Sequence, residues 1–404
     1  MMTPNQRRKR VLSGMRSTGK LHLGNYVGAL ENWVRMQDEH ECFFCVADWH
    51  ALTTDYADTS QVKQNSLEVL LDWLAAGLDP KRCTMFIQSH VPQHAELHLL
   101  LSMITPLGWL ERVPTYKEQQ ENITGRDLST YGFLGYPVLM TSDILMYKGD
   151  FVPVGEDQAA HVELTREIAR RFNQFYPKRG PTARYTCHVC GGALMRAFQF
   201  ADYRVPVIPV WRCSSCGATT VSGGLLSSVT DSVFPEPQAL KTQTPKLPGT
   251  DGRKMSKSYG NTIMLTDPEP VVRQKLKTMV TDPARVRRTD PGNPDVCPVG
   301  DLHKIFSSPE TMDKVYAGCR SAGIGCIECK GWAADALVQI LNPMQQRRKK
   351  YEENPQLAWD ILEAGAHHAR DVASATMKEV RAAMGMSLDY EPPKTKTAPG
   401  RSSE

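Results

Sequence analysis

Two sets of cysteines have spacings that suit metal chemistry. Cys187-x2-Cys190 and Cys213-x2-Cys216 are two knuckles separated by 22 residues, and each second cysteine is followed by a glycine, Gly191 and Gly217. Glycine there suits a tight turn whose N–H groups bond to sulfur, and four thiolates in two C-x-x-C pairs form the donor set of a closed tetrahedral zinc site. A ribbon that small needs its metal in order to fold. The second set, Cys297, Cys319, Cys326 and Cys329, has the uneven spacing C-x21-C-x6-C-x2-C, and no glycine follows Cys329. That pattern is less typical of zinc. Cys42 and Cys45 also form C-x-x-C, but within an apolar run and with no second pair, so they and Cys83 read as core residues.

A second kind of chemistry is written in glycines and lysines. "GMRSTGK", Gly14 to Lys20, fits G-x-x-x-x-G-K, but Leu21 stands where a Mg²⁺-binding loop of that type needs Ser or Thr. A turn that carries a strand into a helix N-terminus still favours an anion, because free N–H groups and the helix dipole point at it. "HLGN" follows, with His22 and Asn25 three apart on one face of the first helical turn and Gly24 between them. Taken singly it reads as a helix cap with a surface histidine. Far downstream, "GRKMSKSYGN" puts Lys254 and Lys257 around Met255 and Ser256 in a loop bounded by Gly252 and Gly260. Two lysines on such a loop can follow phosphate charge as it develops in a transition state.

These residues need a scaffold, and the pattern supplies one. Arg10 to Met15 reads as a strand, and Tyr26, Val27, Leu30, Trp33 and Val34 then recur at helical spacing. "CFFCVADWHAL" reads as a buried strand, an amphipathic helix carries Val69, Leu70, Trp73 and Leu74, and "TMFIQS" reads as a third strand. Alternating strands and helices imply an α/β fold with a Rossmann-type parallel sheet, and ligands at the carboxyl ends of its strands. The expected organisation is a catalytic domain over residues 1–180, a zinc-ribbon-like insertion over 181–224, a return to the catalytic domain with the lysine loop over 225–265, an α-helical domain over 266–390 and a disordered tail over 391–404. Asp143 lies in the apolar helical stretch "MTSDILMY", where a carboxylate is costly without a donor.

The chain has 404 residues, 41% of them apolar, and a net charge of +4. That allows a sizeable core and permits contact with nucleic acid without requiring it. No apolar run approaches the ~20 residues of a membrane helix, and the basic start lacks the apolar region of a secretory signal, so a cytoplasmic protein is expected. Basic runs at Arg273–Arg288 and Gln345–Lys350 read as solvated helix faces, with RNA contact as the sharper alternative.

"SGMRSTGKLHLGNYVGAL", "VADWHALT", "YPVLMTSDILMY", "VPVGEDQAAHVELTREIARRFN" and "KLPGTDGRKMSKSYGN", in that order, resemble the tryptophanyl-tRNA synthetases of class I. The likeness runs from Val11 to about Met386, apart from the insertion. It implies a homodimer with a helical anticodon-binding domain, using ATP with Mg²⁺ to activate tryptophan and then charging tRNA(Trp). It places Arg16, Ser17, Thr18, Gly24, Asn25, Gly155, Glu156 and Asp157 on ATP. Lys254, Met255, Ser256, Lys257 and Ser258 fall on the phosphates, with Lys117 assisting. Asp143 falls on the indole N–H, Gln158 on the amino group, and Tyr136 and Met140 on the pocket wall. The phosphate-stabilising residues are His22, Asn25, Lys254 and Lys257. Arg16 and Ser17 depart from the Gln and Pro of many relatives. The second cysteine set resembles that of a bacterial subset whose cysteines hold a [4Fe–4S] cluster. The alternatives are a tyrosyl-tRNA synthetase, and a non-catalytic RNA-binding or metal-sensing paralogue.

Overall fold

The computed structural model describes residues 7–114, 116, 128–155, 158–177, 194–197, 210–213, 219–221, 232–241 and 247–387. The chain forms two compact units, residues 1–169 with 235–375 and residues 170–234 with 376–404.

The first unit holds a five-stranded parallel sheet. Its strands are β1 (Arg10–Arg16), β2 (Glu41–Ala47), β3 (Cys83–Ile87), β4 (Phe151–Val154) and β8 (Gln238–Lys241), in the order β3-β2-β1-β4-β8. Parallel sheets are covered on both faces, and β2 shows this: every residue after Glu41 is buried. Gly14 pairs with Cys45 across β1 and β2, where a Cβ on Gly14 would lie 2.7 Å from the Cys45 carbonyl oxygen. Strand order reverses between β1 and β4, which opens a crevice at their carboxyl ends.

The helices in chain order are α1 (Leu23–Asn25), α2 (Glu31–Glu39), α3 (Asp48–Asp55), α4 (Val62–Ala76), α5 (Gln93–Ser102), α6 (Leu107–Leu110), α7 (Tyr131–Met146) and α8 (Ala159–Phe175). Then follow α9 (Glu269–Thr278), α10 (Pro298–Phe306), α11 (Pro309–Arg320), α12 (Cys326–Glu353) and α13 (Pro355–Ala383). A π-helical turn, Tyr26–Leu30, separates α1 from α2. Such turns are frequent at functional sites.

The sequence pattern misplaces two strand ends. "CFFCVADWHAL" leaves the sheet after Ala47 and becomes α3. The cause is Asp48: its buried carboxylate accepts the N–H groups of Trp49 and Ser89, both at 3.0 Å, and so closes the strand and starts the helix. "TMFIQS" likewise stops at Ile87, and Gln88–His90 is a 3₁₀ turn.

The core packs α2 and α4 on the sheet, α12 on α4 and α9 on α12, and includes Cys42 and Cys83; Cys45, like them, is buried and free of disulfides. Trp33 stacks on Phe44, with ring centroids 4.5 Å apart, and meets Trp73 edge-on at 5.4 Å. Among the described residues, no helix is long and apolar enough to cross a membrane.

In the second unit, β5 (Leu194–Ala197), β6 (Val210–Cys213) and β7 (Thr219–Val221) form an antiparallel sheet in the order β5-β6-β7. Cys213 ends β6. Cys187, Cys190 and Cys216 lie outside the described residues.

Phe44→Ala removes a fully buried ring and its stacking partner. It is expected to lower stability by about 3–5 kcal/mol, read as a fall in the denaturant midpoint.

Candidate active site

The crevice between β1 and β4 opens into a cavity of about 380 Å³. The ends of β1 and β4 supply Gly14, Arg16 and Gly155, α3 supplies His50, and α7 supplies Tyr136, Met140 and Asp143. Gln158 and His161 close one side, and Gly28, Ala29, Asn32 and Trp33 of the π turn and α2 close another. The volume suits a small ligand with an aromatic body. The sequence-derived residues Arg16, Gly155, Asp143, Gln158, Tyr136 and Met140 therefore meet in one place.

Asp143 is not a lone carboxylate. Gln88 donates to both of its oxygens at 2.8 Å, His94 Nδ1 lies 2.5 Å from Oδ1, and His50 Nε2 lies 3.1 Å from Oδ2. Burial by itself raises the carboxyl pKa, but the charges and hydrogen bonds of His94 and His50 outweigh it and hold the group well below the usual carboxylate range. His94 Nε2 is anchored in turn by the Tyr147 hydroxyl at 2.7 Å, and Tyr136 meets His161 Nε2 at 3.0 Å. Sequence reasoning missed Gln88 and His50, which sit in stretches that read as strands, and His94, whose stretch carries no pattern that was read.

Arg16 is more constrained than a cation beside a phosphate. Its guanidinium donates to the Ala51 carbonyl oxygen at 3.2 Å and to Thr54 Oγ1, and pairs with Asp55 at 3.4 Å. The cation is thus tied to α3.

The second half of the site joins the turn after β1 to the lysine loop. His22 pairs with Met264, and Leu23 N–H donates to the Ile263 carbonyl oxygen at 2.9 Å. Asn25 Oδ1 accepts the His22 N–H at 3.1 Å. A Cβ on Gly24 would lie 2.9 Å from the His22 ring and 3.8 Å from Met255 Cβ, so this glycine lets the imidazole fold over the backbone beneath the lysine loop. Lys257 Nζ donates to the Thr18 carbonyl oxygen at 2.7 Å and to that of Gly19 at 3.3 Å.

Asn261 holds the loop in shape. It accepts the Ser256 N–H at 2.8 Å and donates to Asp251 at 2.7 Å and to the Lys254 carbonyl oxygen at 3.2 Å. Gly260 follows in the left-handed region, φ +64°. Met255 is buried, whereas the side chains of Lys254 and Ser258 are exposed and Ser256 bonds to Ser258 at 2.8 Å. Glu156, Asp157 and Lys117 lie outside the described residues. Two buried polar atoms in this half, Ser17 Oγ and His22 Nδ1, have no hydrogen-bond partner among the described residues. Buried polar groups are seldom left so, and both atoms suit contact with a polar ligand.

Cys297, Cys319, Cys326 and Cys329 line one small cavity with Asp282, Arg285 and Val299. Arg285 reaches Cys319 Sγ at 3.8 Å, and His303 Nε2 lies 3.4 Å from Cys329 Sγ. Burial, then the neighbouring thiols, push the Cys329 thiol up to about 12. Among the described residues no three His, Cys, Asp or Glu side chains gather on one point as ligands of a single ion. The basic runs are not simply solvated faces: Arg285 is buried and bonds to the Arg288 and Ile324 carbonyl oxygens, and Arg348 is 3% exposed.

Burial first, then the Lys257 charge, lower the His22 pKa to about 4. The unfolded chain, near 6.5, takes that proton first, so this residue's contribution to stability is lost as pH falls from about 6.5 towards 4. A histidine NMR titration, with His22→Gln identifying the signal, should place the ring near pH 4. Lys257→Ala should move it upward but not fully restore it.

A family model described as tRNA synthetases class I (W and Y) matches residues 4–192 and 218–342. The tryptophan–tRNA ligase of Ralstonia nicotianae is 50% identical over 94% of this chain and 99% of its own length. That of Thermotoga maritima is 47% identical over 93% of this chain and 99% of its own. The crystal structure of tryptophanyl-tRNA synthetase from Campylobacter jejuni complexed with ADP and tryptophan superposes with a TM-score of 0.73 at 28% identity, covering 93% of this chain and 99% of that one. With the parallel sheet, the crevice and the HLGN and KMSKS segments brought together, these likenesses place the chain in the tryptophanyl-tRNA synthetase family of class I.

Proposed function

We propose that the cavity and the lysine loop are two halves of one adenylation site, in which L-tryptophan and ATP form tryptophanyl-adenylate and pyrophosphate before tryptophan passes to tRNA(Trp). The observation that carries this reading is the approach of Lys257 to the Thr18–Gly19 turn, between His22 and Arg16, the latter lining the same cavity as Asp143.

The chemistry asks for little beyond position and charge. The tryptophan carboxylate, already ionised, attacks the α-phosphorus in line and pyrophosphate leaves, so no general base is required. Lys254 and Lys257 grip the phosphates, Met255, Ser256 and Ser258 set their placement, and Mg²⁺ carried by ATP neutralises further charge. His22 and Asn25 stabilise the phosphate from the other side. His22 acts as a neutral donor, since its lowered pKa keeps the ring uncharged at neutral pH. Ser17 and Thr18 face the triphosphate, Gly24 lets the nucleotide approach, and Gly155, Glu156 and Asp157 take the ribose. In the second step the terminal ribose hydroxyl of the tRNA attacks the acyl carbon and AMP leaves.

In the pocket, the indole N–H donates to Asp143 while Gln158 receives the amino group and Tyr136 and Met140 flank the ring. An ionised acceptor contributes roughly 1.5–3 kcal/mol to such a bond, and a substrate lacking the donor leaves it unmade. Pyrophosphate exchange with each of the twenty amino acids should show tryptophan alone as substrate. Asp143→Asn should lower kcat/KM for tryptophan about ten- to a hundredfold, with ATP binding retained. Unchanged exchange in that variant would sink the pocket assignment. Lys254→Ala and Lys257→Ala should each slow adenylation about a hundredfold with little change in tryptophan binding.

We further assign residues 266–390 to the tRNA anticodon and place the protein in the cytoplasm as a homodimer. Leu99, Met103, Leu107 and Tyr131, exposed along α5, α6 and the start of α7, supply an apolar face for a second copy.

Cys297, Cys319, Cys326 and Cys329 are proposed as the ligands of a [4Fe–4S] cluster. Their shared cavity supports it, as does the donor chemistry: the Cys329 thiol, pushed up first by burial and then by its three cysteine neighbours, ionises beside them only against a metal's positive charge. Cys187, Cys190, Cys213 and Cys216 are proposed to hold zinc in the insertion. Anaerobically purified protein should be brown and contain both metals. Cys326→Ser should lose iron and keep zinc, and Cys213→Ser the reverse. A colourless anaerobic preparation with two equivalents of zinc would overturn the cluster.

A further inference from the structure

The basic run Gln345–Lys350 has no part in the chemistry above, yet the structure turns several of its side chains inward. Arg348 is buried within unit one and bonds to three carboxylates: Asp72 and Glu68 of α4, and Glu352 at 2.6 Å. Asp72 is fully buried, and its other oxygen accepts the Leu21 N–H at 2.6 Å. Leu21 immediately precedes His22. Its carbonyl oxygen accepts the Leu265 N–H at 3.0 Å, in the short ladder that joins the HLGN segment to the exit of the lysine loop. One turn earlier on α12, Gln345 donates to the carbonyl oxygens of Leu265 at 3.0 Å and Asp267 at 2.9 Å.

Gln345 and Arg348 are three apart and share a helix face. One turn of α12 therefore grips the ladder on both sides, directly through Gln345 and through Asp72 from Arg348. The arrangement also balances charge. The Asp72 carboxylate acts on the Lys257 ammonium, opposing the effect of burial there, and Arg348 sits against that same carboxylate. Arg348 thereby keeps Asp72 ionised: burial raises the Asp72 pKa to about 6 even with the guanidinium against it, and without Arg348 the carboxyl would take up a proton.

We propose that Asp72, Arg348 and Gln345 are positioning residues for adenylation, fixing the HLGN–lysine-loop ladder so that His22 and Lys257 meet the phosphates in register. The inference rests on the adenylation reading of the site. None of the three reaches the tryptophan pocket, so their loss should appear in turnover and ATP use rather than in tryptophan binding. A purely structural role would lower the melting temperature and leave the kinetic constants of the folded enzyme alone.

The test is tryptophan-dependent ATP–pyrophosphate exchange in the full-length protein, with melting temperature measured alongside. Asp72→Asn keeps an acceptor for Leu21 but loses the pairing with Arg348. Gln345→Ala removes only a half-exposed amide and keeps the test decisive if Asp72→Asn fails to fold. Both should lower kcat by about tenfold or more, with the tryptophan KM unchanged within about twofold. Arg347→Ala removes a hydrogen bond from the same turn to the Ala75 carbonyl oxygen, which is not part of the ladder, and should leave kcat unchanged. Unchanged kcat in Gln345→Ala, or an equal loss in Arg347→Ala, would overturn the proposal. Absence of exchange in the wild-type protein would instead refute the adenylation reading, and this inference with it.

Discussion

A carboxylate sealed in the interior must find donors or give up its charge, and the floor of the tryptophan-sized cavity is organised around one that finds them. Asp143 on α7 takes His50 from α3, Gln88 from the turn after β3 and His94 from α5. Four elements are tied at one point. Each donor comes from the segment leaving a strand's carboxyl end or from the helix after it, which is where a parallel sheet presents its loops. The pocket is therefore built before any ligand enters. On the proposed reading, an acceptor already fixed by three donors cannot turn to suit a wrong substrate, so selection by hydrogen bond becomes a property of the fold.

The proposed phosphate half follows the opposite rule. Its lysine loop is exposed, bounded by Gly252 and Gly260 and braced by a single buried amide, Asn261. Only Met255 is anchored in the core. Charge in a displacement at phosphorus builds outward onto the leaving pyrophosphate, and a cation that is to follow it needs freedom that Asp143 does not need. His22, beneath the loop, is kept neutral by burial and by Lys257, which leaves the positive charge with the lysines.

Much of this was legible in the sequence because it is local. The strand starts, the glycine turn after β1, the HLGN segment and the lysine loop all carry their signal within a few residues. What was not legible depends on partners far away in the chain. His50, Gln88 and His94 stand 93, 55 and 49 residues from Asp143, and no periodicity links them. The "VADWHAL" stretch read as strand because its apolar run continues past Ala47. One carboxylate, Asp48, ended the sheet by bonding to a backbone N–H 41 residues away. Arg348 read as part of a solvated face, since a basic run on a helix usually is one. Two of its three carboxylates lie 276 and 280 residues upstream.

The long helix α12 shows why such distant pairs matter. It begins at Cys326, carries Cys329 on its first turn and bears Arg348 near its other end, a span of about 33 Å at 1.5 Å per residue. Pro343 lies within it, so one backbone hydrogen bond of the helical ladder is missing just before Gln345. The cysteine cavity thus lies at the start of the same element that holds the HLGN segment through Asp72. A helix buried along Ala333, Leu337, Leu341 and Met344 resists independent movement of its two ends, because displacing one end means repacking that whole stripe. The cysteine cavity and the HLGN segment are therefore joined by one packed helix, and the hydrogen bond that Pro343 cannot donate is missing between them.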